Sequence, residues 1–268
     1  MSVRTEAVAG VLERSQQLGF LGPGPVSGHI RHAVGFAGGL DAPAHRLLDL
    51  GSGGGVPGLV LATVAWPEST TVLLDSGLRR CVFLEEAVEE LGLHERVSVR
   101  RDRAEIAGRD LELRGTFDVV VSRSFGSPAV TAECAAPFLC EGGVLVVSEP
   151  PPASVPAAVP WSASASGPDA GDEAPEPGVE EAPEPGVGEA PEPVTPREVG
   201  VELAGDDQAE ETAPRRGERW PDAGLAVLGL ERGAAWASPF HYQALVQRRL
   251  CPGRFPRRVG IPAKRPLF

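Results

Sequence analysis

The clearest pattern for chemistry is the stretch from Leu47 to Gly58, which reads L-L-D-L-G-S-G-G-G-V-P-G. An apolar run ends beside an acid, Asp49, and continues into a glycine-rich turn. Glycines let backbone N–H groups approach a ligand closely, and a helix that follows presents further N–H groups. The pattern therefore predicts a ligand-binding turn between a strand and a helix.

Two ligand classes fit such a turn. Gly53, Gly55 and Gly58 have the G-x-G-x-x-G spacing of dinucleotide-binding folds, and Asp75 lies where a ribose-binding acid is expected. Asp49 instead favours S-adenosylmethionine, because a carboxylate there can face the ammonium group of the methionine part and would repel a pyrophosphate. We expect a methyl donor rather than a nicotinamide cofactor.

The turn must be positioned by an alternation of apolar strands and helical stretches that begins at Arg46. This alternation predicts an α/β fold with a mainly parallel sheet and right-handed crossovers. The predicted strands are 46–50, 71–75, 97–100, 117–122, 143–148, 225–230 and 242–247, and the predicted helices are 6–18, 29–36, 57–65, 78–91 and 128–139.

Charge and proline divide the chain. Residues 151–214 contain 13 of the 27 prolines, 15 acidic residues and one basic residue, so the rest of the chain is slightly basic despite a net charge of −12. The tract repeats A-P-E-P and predicts a disordered insertion. The expected organisation is a helical lead-in (1–45), a core (46–150), the acidic insertion (151–221), closing strands of the core (222–250) and a basic C-terminal arm (251–268).

Cysteine spacing and the N-terminal residues argue against some classes of protein. Cys81, Cys134, Cys140 and Cys251 form no C-x-x-C pair, so no metal site is expected. The first fifteen residues include two glutamates and lack the apolar core of a secretory leader. We expect a cytoplasmic monomer that uses no metal and contacts no membrane.

Four sequence blocks then resemble a known family. They are L-L-D-L-G-S-G-G-G-V-P-G-L-V-L-A, L-L-D-S-G-L-R-R-C-V-F-L, R-A-E at 103–105 and F-D-V-V-V-S-R-S-F at 117–125. With F-P-R-R-V-G-I-P-A-K-R-P-L at 255–267, they resemble the RsmG (GidB) family of bacterial small-subunit rRNA methyltransferases. The resemblance covers about 29–148 and the tail. It implies a Rossmann-like class I methyltransferase fold that uses S-adenosylmethionine to methylate guanine N7 in 16S rRNA of the small ribosomal subunit.

The resemblance also implies roles for individual residues. Asp75 would bind the ribose, Ala104 and Glu105 would border the adenine, and Arg123 would lie at the reaction mouth as the catalytic residue. Arg79 and Arg80 would contact RNA phosphates. The residues expected to hold the methyl donor are Asp49, Gly51, Gly53, Gly55, Val56, Asp75, Ala104, Glu105 and Arg123, and those expected in an extended RNA-binding arm are Arg254, Arg257, Arg258, Lys264 and Arg265.

The chain also departs from the family pattern. His32 and Ala33 replace an acid and a serine, and Glu149 replaces a lysine, which we expect to weaken RNA binding. Two alternatives therefore stay open. One is a diverged S-adenosylmethionine-binding protein with another substrate or no catalysis, and the other is an NAD-dependent oxidoreductase.

Overall fold

The computed structural model describes residues 3–151, 219–237 and 239–268. Within these ranges, seven strands form one sheet with helices on both faces, which confirms the predicted α/β class. The acidic tract with its A-P-E-P repeats lies outside the described residues, so its predicted disorder stays a prediction. The strands are β1 (Arg46–Leu50), β2 (Thr70–Asp75), β3 (Val97–Arg101), β4 (Phe117–Ser122), β5 (Leu139–Glu149), β6 (Leu230–Ala237) and β7 (His241–Gln247).

The strands lie in the order β3-β2-β1-β4-β5-β7-β6. The first five pair in parallel, whereas β7 runs antiparallel between β5 and β6. This is the Rossmann-like class I arrangement that was expected. The strand order changes direction between β1 and β4, and open α/β sheets bind ligands beyond the carboxyl ends of the strands at such a switch point.

The helices that cover the sheet are α1 (Val3–Gln17), α2 (Val26–Val34), α3 (Gly58–Val60), α4 (Leu78–Glu90), α5 (Ala104–Ala107), α6 (Pro128–Ala135), α7 (Asp222–Leu228) and α8 (Ile261–Lys264). α3 continues into a wider helical turn over Leu61–Ala65, and α6 into a tighter one over Ala136–Phe138, where β5 then begins. Pro128 occupies the first turn of α6, where its missing N–H is harmless.

The N-terminal segment is part of the core. Val8, Val11 and Leu12 on α1 are fully buried, and Val11 packs with Leu59 and Phe83 against one face of the sheet. The opposite face buries Phe117, Phe138, Trp220, Leu225 and Phe255 in one cluster. Ser15 of α1 also donates from Oγ to the Gly54 carbonyl at 3.0 Å, so the predicted helical lead-in contacts the glycine turn directly.

The strand predicted at 225–230 is wrong, because residues 225–228 lie in α7 and a strand begins only at Leu230. Leu225 and Leu228, three residues apart, are buried on one face of the helix, which a short apolar run does not distinguish from a strand. Gly229 ends the helix with a left-handed φ of 82°, and β6 begins at the next residue. A Cβ at Gly229 would lie 2.3 Å from the Arg249 carbonyl oxygen, so glycine is required there.

The extended C-terminal arm is also wrong, since residues 251–268 pack against the core. Arg257 donates from its backbone N, Nε and Nη2 to the carboxylate of Glu133, which is fully buried in α6. Phe255 and Pro262 are buried, and Phe268 packs against Gly224 of α7. A buried carboxylate needs a paired cation, and this need draws Arg257 inward.

Candidate active site

The glycine-rich turn follows β1 at the sheet edge where the strand order reverses. Gly51, Gly53 and Gly55 have φ values of 76°, 52° and 92°, which are left-handed conformations that residues with a Cβ rarely adopt. The N–H groups of Gly51 and Ser52 donate to the Leu74 carbonyl at 2.9 and 3.0 Å, and so attach the turn to β2. The turn is thus held in shape before any ligand is present.

Asp49 lies in β1 immediately before this turn and is fully buried. Its Oδ2 accepts a hydrogen bond from the Gly58 backbone N at 2.8 Å, at the start of α3. Its Oδ1 is buried and has no hydrogen-bond partner among the described residues. Burial raises the pKa of this carboxyl to about 7, against the opposing effect of the Gly58 N–H. A buried acceptor without a partner is costly, so the site favours a ligand that donates hydrogen bonds.

Asp75 ends β2 and binds the turn from the other side. Its Oδ2 accepts from the Gly53 N at 2.9 Å, and its Oδ1 accepts from the Gly77 N at 2.8 Å and from Arg80 Nε at 2.9 Å. A carboxylate offers about four acceptor positions. Three are used here, and the remaining one is compatible with the predicted hydrogen bond to a ribose hydroxyl.

The two arginines Arg79 and Arg80 differ in exposure. Arg80 donates from Nε to Asp75 beside the glycine turn, and its side chain is 34% exposed, so its predicted contact with RNA phosphate stays a prediction. Arg79 is exposed and lies over the Phe20 ring, with 5.7 Å between the guanidinium carbon and the ring centroid. Its predicted RNA contact stays a prediction as well.

Ala104 and Glu105 begin α5 and are both buried. The Glu105 carboxylate accepts from the Gly260 N at 2.9 Å, so it is directed to the C-terminal segment. Burial alone would raise its pKa, but the Gly260 N–H and the nearby Arg103 lower it below the usual range. The side chain of Glu105 therefore anchors residues 251–268, and the predicted border of the adenine stays a prediction.

Arg123 directly follows β4 and is largely enclosed. Burial lowers the pKa of its guanidinium to about 10, and the negative charge of Asp49 opposes this shift. Its Nη1 lies 3.4 Å from Nδ1 of His29, which is buried on α2. The structure thus brings the predicted reaction-mouth arginine near the buried acid of β1 and a buried histidine of α2.

His32, at the position where the resembled family has an acid, lies among aromatic rings. Its ring lies 4.5 Å from the Phe240 ring and 5.7 Å from the rings of Phe36 and Tyr242, measured between centroids. Burial, with the positive charge of Arg123, lowers the pKa of His32 to about 3. The side chain is therefore a neutral packing group that joins α2 to β7.

The basic residues of the C-terminal segment separate in the same way. Arg257 is committed to Glu133 and is not available for RNA, which corrects the prediction for this residue. The other four remain exposed: Arg254, Arg258, Lys264 and Arg265.

Three features near the site received no structural role from the sequence. Ser124 adopts a left-handed φ of 56°, and the Phe125 ring packs against Gly51. The carboxylate of Glu149 binds the side chains of Arg219 and Trp220. These partners are about 70 residues apart in sequence, across the acidic tract, so only the fold brings them together.

In residues 3–151, 219–237 and 239–268, no group of three His, Cys, Asp or Glu side chains is placed to hold a metal ion. None of the helices described there has the length and apolar character needed to cross a membrane.

Comparison with known proteins gives a consistent set of relatives. Residues 26–149 match the family model described as rRNA small subunit methyltransferase G. A protein of that name from Prochlorococcus marinus (strain NATL2A) is 40% identical over 104 residues, which are 39% of this chain and 42% of the relative. One from Synechococcus sp. (strain RCC307) is 28% identical over 222 residues, covering 83% of this chain and 70% of the relative. The chain thus aligns with only about two fifths of the first of these relatives.

Solved structures are similar at lower identity. Cofactor-bound Rv0187 from MTB has a TM-score of 0.43 and 22% identity, covering 53% of this chain and 65% of that one. The O-methyltransferase from Bacillus cereus in complex with SAH has a TM-score of 0.42 and 20% identity, covering 53% of this chain and 66% of that one.

Proposed function

Through residues 26–149 the chain belongs to the rRNA small subunit methyltransferase G (GidB) family, and on that premise we propose that it transfers a methyl group from S-adenosylmethionine to guanine N7 in 16S rRNA. The small ribosomal subunit is then its partner, and the cytoplasm its place of action. The relatives are named as ribosomal RNA small subunit methyltransferases, and the geometry of the glycine turn supports the binding of a methyl donor.

The observation that carries the proposal is the buried Oδ1 of Asp49, which has no partner among the described residues. An ammonium group placed against it would supply both a hydrogen bond and a neutralising charge. The methionine part of S-adenosylmethionine carries such a group. The residues present therefore fit this ligand, with the turn at Gly51, Gly53 and Gly55 along it and Asp75 at the next strand.

The same carboxylate disfavours a dinucleotide. In dinucleotide-binding folds a pyrophosphate binds the free N–H groups at the start of the helix that follows the glycines. Here the Gly58 N–H, at the start of α3, already donates to Asp49. A pyrophosphate would lose that N–H and would lie beside a buried carboxylate, so the oxidoreductase alternative is not favoured.

Methyl transfer to guanine N7 requires little acid–base catalysis from the protein. When bound, S-adenosylmethionine supplies a methyl group on a positively charged sulfur. Guanine N7 has a lone pair and no proton, so no general base is needed as the N–C bond forms and the C–S bond breaks. The protein must mainly align the two reactants. We assign Arg123 to positioning the guanine, because it lies at the carboxyl end of β4, beside β1 and the buried Asp49.

The exposed cations of the C-terminal segment extend this proposal to RNA. Arg254, Arg258, Lys264 and Arg265 lie outside any ion pair between described residues, and phosphate contacts by such groups dominate RNA affinity. Binding to the small subunit should accordingly weaken as salt rises.

Calorimetry and methyl transfer together test the proposed function. We expect S-adenosylmethionine and its demethylated product to bind with measurable heat, and NAD to give none. Incubation with unmethylated small subunits should then produce 7-methylguanosine in 16S rRNA, detected by mass spectrometry. Donor binding without methylation would favour the diverged, non-catalytic alternative, and heat with NAD alone would overturn the proposal.

A further inference from the structure

A small cleft lies at the carboxyl ends of β4 and β5, next to the glycine turn. We name it the acceptor cleft, and the lining residues that matter here are Ser122, Ser124, Phe125, Ser148, Glu149 and Arg219. Ser124 holds a left-handed backbone conformation that costs free energy for a residue with a Cβ. Such strain persists where the surrounding structure enforces it, commonly at binding sites.

Phe125 joins this cleft to the glycine turn. A Cβ built on Gly51 would lie 2.7 Å from Phe125 Cδ2, so the ring rests directly against the turn. The ring is only partly buried. A partly exposed aromatic ring beside a reaction site is a suitable surface for stacking an unpaired RNA base.

Glu149, at the end of β5, is a buried anion whose two oxygens are both engaged. Its Oε1 accepts from Trp220 Nε1 at 2.9 Å, and its Oε2 accepts from Arg219 Nε at 2.7 Å. The Glu149 side chain is 2% exposed, whereas that of Arg219 is 25% exposed. The cleft therefore presents to solvent the cation of the pair rather than the anion.

Arg219 is therefore held through the Nε edge of its guanidinium, and its side chain is partly exposed to solvent. Within the described ranges, its Nε is committed to Glu149 and its two Nη groups donate to no acceptor. A guanidinium fork has a planar set of donors that matches phosphate oxygens. Holding it through Nε lowers the conformational freedom that binding would otherwise remove.

We propose that Arg219 binds the phosphate of the nucleotide whose base stacks on Phe125, and that Glu149 is the positioning residue that orients the Arg219 guanidinium. The proposal rests on the RNA methylation proposed above and adds the substrate side of the same site. The proposal also reverses the effect expected of Glu149. The sequence predicts that this acid weakens RNA binding, whereas here it holds the Arg219 cation at the same sheet edge.

The test compares Arg219→Gln with Arg248→Gln, a matched control that removes an exposed arginine paired with Glu231 at the end of β7. Binding of a fluorescent 16S rRNA transcript is measured by anisotropy over a range of salt concentrations. We expect Arg219→Gln to weaken binding about tenfold and to lower the slope of log Kd against log salt by about one, as for one lost phosphate contact. Arg248→Gln should change neither quantity.

Two further variants separate a binding role from a merely structural one. Arg219→Lys keeps the charge, so it should keep the salt slope while losing part of the affinity. Glu149→Gln leaves Arg219 charged but poorly oriented, so RNA affinity should fall several-fold with the salt slope unchanged. Affinity for S-adenosylmethionine should stay constant in all variants. An unchanged salt slope in Arg219→Gln, or equal losses of donor and RNA affinity, would overturn the proposal.

The role of Arg219 and the proposed methyltransferase function are contradicted by different results. If the wild-type chain binds RNA but never methylates small subunits, the methyltransferase assignment fails while the salt slopes still report on Arg219. If small subunits are methylated and Arg219→Gln has the wild-type KM and salt slope, only the role of Arg219 is lost.

Discussion

Two buried carboxylates mark the two halves of the candidate site, and they are treated in opposite ways. Asp49, before the glycine turn, keeps one buried oxygen without a partner among the described residues. Glu149, in the acceptor cleft, has both oxygens bound to Trp220 and Arg219. The first arrangement is prepared for a cationic ligand, and the second turns an anion into the support of a cation. The sign of a side chain alone therefore does not predict the sign of the surface it creates.

Under the proposed function, turnover depends on Arg123, which lies between the two halves of the candidate site. Its substitution should therefore show the largest effect. We expect Arg123→Ala to lower kcat for small-subunit methylation about 100-fold, because a misplaced reactant by about 1 Å costs that much. The melting temperature should fall as well, because Arg123 is largely enclosed and interacts with Asp49, but the folded variant should still show the loss of turnover. Steady-state kinetics and thermal unfolding measure the two quantities. A variant that keeps wild-type kcat would separate Arg123 from the reaction.

Donor binding should depend on Asp49 almost as strongly. Asp49→Asn keeps an acceptor for the Gly58 N–H but removes the charge, so we expect calorimetry to show an affinity for S-adenosylmethionine weaker by about 30-fold or more. Asp118→Asn is the matched control, because Asp118 caps the His45 and Arg46 N–H groups at the opposite end of β1. Equal losses in the two variants would mean that the effect is structural.

The pH dependence of donor binding sharpens the contrast between the carboxylates. Burial raises the pKa of Asp49 to about 7, so below that pH the unliganded protein holds a proton that the ammonium ligand must displace. Affinity should fall about tenfold for each pH unit below 7 and level off above it. Calorimetry between pH 5.5 and 8.5 should show this slope in the wild type and its loss in Asp49→Asn. A flat profile in the wild type would contradict the role of Asp49.

The half of the candidate site around the glycine turn was largely predictable from sequence, and the reason is distance along the chain. Asp49, the glycine turn and Asp75 are joined by one strand–helix–strand unit, so their spacing alone places them at one sheet edge. The five parallel strands followed from the same local periodicity. Sequence patterns record neighbours within such a unit well.

The acceptor half was not predictable because its contacts cross the chain. Glu149 meets Arg219 and Trp220 only after the acidic tract, and Arg257 is drawn to Glu133 across 124 positions. The predicted set of RNA-binding residues therefore included Arg257, whose guanidinium forms an ion pair inside the protein. Short apolar runs such as 225–230 failed for a different reason, since a short continuous apolar run fits either a buried strand or a buried helix.

The smallest expected effect concerns Asp75, whose carboxylate already serves three protein donors. Asp75→Ala removes one predicted ribose hydrogen bond and loosens the Gly53 N–H, so donor affinity should fall about tenfold. Asp222→Ala is a suitable control, because Asp222 forms an exposed ion pair with Arg232 on the far side of the sheet order. Because Arg80 is released in Asp75→Ala, RNA affinity should hold steady or rise while donor affinity falls. A parallel loss of both affinities would show that the two halves of the site are not separable at this residue.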